Sequence, residues 1–495
     1  MKNNVGRDAV KLTVAKIITL GIGMAATKML SEFRSVEEYG TFSAISTAVN
    51  LAVAFFMLGL PGSINYFLAR AENKDEQKHF LSNYYSLSTL ISLILGVGMF
   101  AAAPLIAQWY ENDGVRTLAF VFTMLPWVNI TFGGFDNVLV VKQRSTLLMI
   151  YKVLFSAALL LTIAVAQWLG LSFQFYMFLY LAVQAIFAAA IYVIVARISG
   201  GLRFSLDKTL LKKIFVFSIP LGLATVVGTL SLELGKLMIG RMMGSEALGQ
   251  YTNAGKELPI TFVTVSMTAV LMPQIVRRVK RNNYQDAADL WGDATVISYY
   301  VISFFVAACI VAAPQFITFL YAEKYLPGIT VFRIYNLVLL LRATYCGMIL
   351  NAIGKTKFIM YSSIASLALN AIFNYLCYQW LGFIGPAVAT IISILVMQYM
   401  QLLATSKNIG IPLRRLMPWG KLAQITAVNA ALGAAAYGVF EIFKIGTDTK
   451  GLLTAAGVGI VWFGLYTLII YKPFRQRWSR MNNTNSGNSE EGELS

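Results

Sequence analysis

The sequence predicts an all-α polytopic membrane protein of about 14 transmembrane helices, arranged as two six-helix bundles around a central cavity plus two C-terminal helices. The first observation is composition. Hydrophobic residues make up 57% of the 495 and charged ones only 13%, against about 45–50% and about 25% in soluble domains. The second is fourteen apolar runs, each long enough to cross a bilayer as a helix. The third is a short motif that recurs between the two halves of the chain. No stretch remains for a large water-soluble catalytic domain.

The runs fall at roughly 9–30, 41–68, 82–107, 117–140, 145–169, 173–196, 214–240, 249–275, 292–321, 328–352, 357–381, 385–405, 417–440 and 451–471. Barrel strands need only about 9–11 residues, so runs of this length are helices. The first is too long for a signal peptide, carries Lys16 and lacks a small-residue cleavage pattern. Cys309, Cys346 and Cys377 lie in apolar runs without CxxC spacing. They read as packed small hydrophobes rather than metal ligands or disulfides.

The net charge is +17, from 40 Lys+Arg and 23 Asp+Glu. In a soluble protein that excess would suggest nucleic acid, but here the loops account for it. The loops on the N-terminal side of the membrane hold 26 basic residues and the opposite loops hold six. The positive-inside rule then places both termini in the cytoplasm and makes the number of spans even. No nucleic-acid partner is expected; the lipid bilayer is the surrounding solvent.

Glu37-Glu38-Tyr39-Gly40-Thr41-Phe42 follows the first run, and Glu246-Ala247-Leu248-Gly249-Gln250-Tyr251 follows the seventh, so acid, glycine and aromatic recur at an offset of 209 residues. The runs that come next carry Leu60-Pro61-Gly62-Ser63-Ile64 and Met272-Pro273-Gln274-Ile275. The repeat gives residues 1–197 as an N-terminal six-helix bundle, 198–213 as a basic cytoplasmic connector and 214–406 as a second bundle. Residues 407–481 then form helices thirteen and fourteen, and 482–495 a disordered polar tail. Six is an even number, so both bundles share one orientation and the pseudo-twofold lies along the membrane normal. Pro61, Pro220 and Pro259 are hinge candidates for alternating access.

Eight basic residues remain inside the runs: Lys16, Lys28, Lys152, Lys236, Lys256, Arg333, Arg342 and Lys421. Three acids join them: Asp136, Glu233 and Glu257. A basic residue at mid-span costs about 2.5–3.5 kcal/mol, whereas one near an end escapes by snorkelling. Lys421 starts its run and Lys28 ends one. Arg342 lies fourteen residues into the tenth run, roughly 21 Å along a helix, and is expected to face the cavity. Lys236, three residues after Glu233, has the spacing of an ion pair. Adjacent Lys256 and Glu257 point apart. Asp136 is placed to pair with Lys152 across a short loop. Asn370 and Asn374 stand one turn apart, suited to sugar hydroxyls or to helix–helix hydrogen bonds. Lys16 and Arg333 have no obvious partner. The surplus of positive charge suits a ligand carrying phosphate or carboxylate.

The Glu-Glu-Tyr-Gly-x-Phe turn, the Gly244-Ser245-Glu246-Ala247-Leu248-Gly249-Gln250-Tyr251-Thr252-Asn253-Ala254 turn and the fourteen-span layout resemble the multidrug/oligosaccharidyl-lipid/polysaccharide exporter superfamily. The likeness is to its polysaccharide-exporting branch of O-antigen and capsule-unit flippases. It implies flipping of an undecaprenyl-diphosphate-linked oligosaccharide from the inner to the outer leaflet, with polysaccharide polymerase machinery as a partner. It also implies a cationic cavity, to which Lys16, Lys28 and Lys236 correspond by position. No cofactor is expected. The drive is an ion gradient or the membrane potential, and no residue singles out an ion.

Two readings compete on the same scaffold: a multidrug and toxin antiporter, and a flippase for a lipid-linked peptidoglycan precursor. Cation export calls for acids in the spans, yet bases outnumber acids there by eight to three. An enzyme is not expected. The external loops are short, the sole histidine, His79, sits in a cytoplasmic loop, and no HExxH, GxSxG or Walker-type motif occurs.

Overall fold

A computed structural model of the chain describes residues 5–256, 260 and 262–486. Among these the secondary structure is helical throughout, without strands. The helices, in order, are α1 Val5–Phe33, α2 Val36–Met57, α3 Leu60–Arg70, α4 Lys74–Tyr110, α5 Asp113–Thr117, α6 Val121–Val141, α7 Ser145–Trp168, α8 Phe173–Ser199, α9 Lys208–Ala254 and α10 Phe262–Lys280. They continue with α11 Tyr284–Val311, α12 Ala313–Leu320, α13 Ile329–Leu341, α14 Met348–Ala352, α15 Thr356–Leu381, α16 Gly385–Ile409, α17 Leu413–Leu416, α18 Trp419–Ile442 and α19 Thr449–Ser486. Ten helical stretches among the described residues are long and apolar enough to cross a membrane. One of them, Thr356–Ile409, is the α15–α16 pair joined by a single tight turn. The protein is a multi-pass membrane protein.

Each apolar run falls largely on helix, but several are interrupted where a continuous span is expected. The second run breaks at Leu58 (φ 37°) and Gly59 (φ 74°), and Pro61 opens α3. A proline is harmless in a first helical turn because its missing N–H needs no partner there, so Pro61 stands at a real break rather than a mid-helix kink. The tenth run stops at Leu341 and resumes at Met348, and the eighth is interrupted beyond Ala254. Between the seventh and eighth runs, α9 changes direction at Gly244, whose φ of 83° and ψ of −176° suit only glycine. Pro220 lies within α9, while Glu257 and Pro259 lie outside the described residues.

The chain divides into two compact units. One comprises residues 1–252 with 320–322; the other comprises 253–319 with 323–495. The division falls after Thr252, whereas the sequence places a boundary in the connector 198–213. The seventh helix joins the first unit because its glycines admit close backbone contact. A Cβ on Gly222 would sit 2.0 Å from the Leu58 carbonyl carbon, and one on Gly240 would sit 2.4 Å from the Tyr110 ring. The connector itself is docked onto α4. The backbone N–H groups of Arg203, Ser205 and Asp207 donate to Ser82, Ser86 and Asn83 at 3.1, 3.0 and 2.6 Å. The core of the first unit is built on Ile45, Tyr84, Phe122 and Phe135, and that of the second contains Trp291, Phe304 and Tyr466.

The repeated turns meet each other. A Cβ on Gly40 would fall 1.7 Å from the carbonyl oxygen of Ser245, and one on Gly249 would fall 2.5 Å from the carbonyl oxygen of Val36. Val36 and Ser245, like Gly40 and Gly249, are 209 residues apart. The contact is therefore reciprocal, with each repeat's glycine receiving the other's carbonyl, as an isologous contact about a twofold requires. Asn112 clamps it by donating to Thr41 Oγ1 at 2.8 Å and to Ser245 Oγ.

Candidate functional site

In the first unit two of the sequence-selected charges, Glu233 and Lys236, stand together on α9 against α2. Glu233 is 6% exposed. Its Oε2 accepts from Lys236 Nζ and from Thr47 Oγ1, each at 3.0 Å, and its Oε1 accepts from Asn50 Nδ2 at 3.3 Å. The i, i+3 spacing on α9 forms the pair as expected. Thr47 and Asn50 complete it, and the sequence reading passed over them. Their signal is spacing: Thr47 and Asn50, three residues apart, share one helix face. A carboxylate with three donors and a lysine still reachable from outside makes a polar station inside apolar helices.

The other intramembrane lysines of this unit differ. Lys152 pairs with Asp136, as the loop geometry suggested, and both side chains are more than 40% exposed. Lys28 pairs with Glu32 at 2.9 Å, one turn on, and also donates to the carbonyl of Tyr321. Lys16 is exposed on α1.

In the second unit Arg342 is not embedded in a continuous helix. It caps the C-terminus of α13, where the tenth span breaks. Gln398 of α16 donates to the exposed carbonyl of Leu341. Thr344, two residues past Arg342, accepts from the Trp291 indole at 2.9 Å and from Thr295 Oγ1 at 2.8 Å. Irregular backbone at membrane depth survives only where neighbours satisfy its polar groups; Gln398 does so for the Leu341 carbonyl, while Trp291 and Thr295 anchor the Thr344 side chain in the break. Arg333 Nε donates to the carbonyl of Ile310 at 3.0 Å and lines an apolar cavity of about 510 Å³ with Asn429, Leu337 and Tyr437. Lys256 lies beyond the end of α9, exposed, rather than inside a span. Asn370 and Asn374 are 2% and 3% exposed, and Asn374 Nδ2 donates to Asn370 Oδ1 at 3.1 Å. The two amides first satisfy each other along α15. Among the described residues no group of His, Cys, Asp or Glu could hold a metal ion.

Interrupted helices with a buried ion pair and a basic break are the build of a membrane transporter. The fold agrees. It superposes on the lipid II flippase MurJ in an inward closed conformation with a TM-score of 0.74 at 15% identity, over 94% of this chain and 99% of that one. It also superposes on an inward-facing multidrug resistance MATE transporter of the MOP superfamily, with a TM-score of 0.64 at 15% identity, over 81% and 98% of the chains. The fold is thus that of the multidrug/oligosaccharidyl-lipid/polysaccharide exporter superfamily. Residues 5–279 match the family described as polysaccharide biosynthesis protein, and the chain belongs to that family. The teichuronic acid biosynthesis protein TuaB of Bacillus subtilis (strain 168) is 21% identical over 442 residues, covering 83% of this chain and 85% of that protein.

Proposed function

We propose that the protein is a transporter, not an enzyme, that flips an undecaprenyl-diphosphate-linked oligosaccharide across the bacterial cytoplasmic membrane for surface polysaccharide synthesis. Both termini lie in the cytoplasm on this reading, and the lipid-linked glycan passes by alternating access through a cationic interior. The family match over residues 5–279 carries the proposal. The likeness to TuaB and the MurJ-type fold support it. Lys16 and Lys236 in the first unit are candidate cations for a diphosphate, and Arg333 and Arg342 are the candidates in the second. Breaks at Leu58–Gly59 and after Leu341 supply places for helices to bend.

The test is export in cells lacking the protein, complemented with the parent or with Arg342→Ala, with membrane insertion checked. Arg342→Ala is expected to lower surface glycan by about ten-fold, a loss of about 1.4 kcal/mol in substrate stabilisation, while precursor accumulates on the cytoplasmic leaflet. Surface glycan unchanged in the deletion strain would overturn the assignment. Normal export by Arg342→Ala would make that charge structural and favour the drug-antiport reading.

The membrane potential is a sufficient drive. Moving about two negative charges outward from a negative cytoplasm releases about 4.6 kcal/mol per 100 mV. Flipping in proteoliposomes is expected to slow when valinomycin and potassium collapse an interior-negative potential. Rates indifferent to the potential would point to an ion gradient instead.

A further inference from the structure

The second unit carries a charged pocket of about 630 Å³ that the transport reading does not use. Four helix ends and a turn converge on it: Arg278 from the end of α10, Asp286 and Asp293 from the start of α11, Arg415 from α17, and Arg477 and Arg480 from the end of α19. Two of its acids are already neutralised, Asp286 by Arg278 at 3.4 Å and Asp293 by Arg477. A third, Asp289, accepts from Gln285 at 3.1 Å. Arg415 is exposed and makes no ion pair among the described contacts. Four lining arginines, Arg278, Arg415, Arg477 and Arg480, against three aspartates leave one positive charge over in a concave site. Two half-exposed tryptophans flank it in sequence: Trp419 directly follows Pro418, and Trp478 directly follows Arg477. Such residues mark the headgroup level of a bilayer.

The same two helices carry an apolar groove away from this pocket. Tyr300 and Phe304 of α11, with Phe463, Ile470 and Phe474 of α19, line a cavity of about 430 Å³. Phe474 in the groove is one turn from Arg477 in the pocket, and Tyr300 is two turns from Asp293. A basic headgroup pocket continuous along α11 and α19 with an acyl-sized apolar groove has the two-part chemistry of a phospholipid. We propose that the α11–α19 face binds one anionic phospholipid, its phosphate at Arg415 and its chains against Phe304 and Phe474, in the leaflet on the side of the basic loops. Basic pockets between spans on that side recognise anionic headgroups in this way. Zwitterionic lipids carry a compensating ammonium that the surplus arginine repels.

The experiment reads tryptophan quenching in phosphatidylcholine vesicles carrying one brominated-chain phosphatidylglycerol in five, against brominated phosphatidylcholine at the same fraction. The signal of Trp478 is taken as the difference between the parent and Trp478→Phe. The parent is expected to prefer phosphatidylglycerol by about ten-fold. Arg415→Glu, an exposed change that leaves both pocket ion pairs in place, is expected to abolish the preference, since it replaces the pocket's surplus positive charge by a negative one that repels a phosphate. Arg414→Glu, next to it but not lining the pocket, is expected to keep the preference within two-fold. An equal fall in both variants would mean a diffuse surface potential and overturn the built site. So would an unselective parent. Loss of the preference on adding undecaprenyl phosphate at trace levels would assign the groove to the carrier lipid and overturn a phospholipid occupant. The readout is binding, so it is independent of whether the protein flips a glycan.

Discussion

Gly40→Ala is expected to leave little correctly folded protein, because the new methyl would stand 1.7 Å from a backbone carbonyl that no rotamer can move. The obstruction is Ser245 on the kinked end of α9, held in turn by Asn112 and by the Arg241–Glu111 ion pair beside it. Either α2 or the end of α9 must be displaced by more than an ångström. Overpacking of side chains costs typically 1–3 kcal/mol, and a backbone clash lies at the top of that range, about 3 kcal/mol or more. The melting temperature in detergent should fall by roughly 3–6 °C, with loss of monodisperse protein. Gly249→Ala meets the Val36 carbonyl at 2.5 Å and should follow in the same direction. Gly228→Ala is the control: it lies on the same α9 with open space around it, and alanine is the better helix former there. A Gly40→Ala protein as stable as Gly228→Ala would show that the two repeats do not meet at their glycines.

That contact shows how far the sequence could be read. Recurrence of acid, glycine and aromatic at one offset was visible, and so was the reason for glycine in a turn. Nothing in either motif says that the two copies touch, because the contact is between backbones and leaves no complementary side chains to read. Charge behaved likewise. The Glu233–Lys236 pair followed from i, i+3 spacing on one helix, and the Asp136–Lys152 pair from the short loop that brings two neighbouring helices together. The breaks at Leu58–Gly59 and after Leu341 were not legible. Gly59, Pro61 and Gly62 at the first break and Arg342, Thr344 and Gly347 at the second are averaged away in a long apolar window, and distant partners fix where each interruption falls. Gly222 lies against Leu58, and Gln398, Trp291 and Thr295 take the polar groups around Thr344. For the same reason Arg342 was read as a residue deep in a helix, when it stands at a helix end.

Glu233→Leu is expected to destabilise strongly, and its comparison with a double variant separates bracing from transport. The single change strands the ammonium of Lys236, a side chain only 26% exposed, inside apolar helices without its carboxylate. Breaking a buried pair from one side costs about 3–5 kcal/mol. Lys236→Leu should cost less, because Thr47 and Asn50 still donate to the remaining carboxylate. Removing both charges together, Glu233→Leu with Lys236→Leu, leaves no unpaired ion. Thr47 can then turn to a backbone carbonyl of its own helix, and Asn50 is exposed enough to bond water. The double variant should therefore recover to within about 1 kcal/mol of the parent, a coupling of at least about 2 kcal/mol between the two sites. If Lys236 serves the anionic carrier, this stable protein will still fail to export glycan, and Glu233→Gln, which keeps an acceptor for Thr47 and leaves the lysine charged, will retain part of the activity. Export at the parent's rate by the double variant would make the pair a brace between α2 and α9 and remove Lys236 from the transport path.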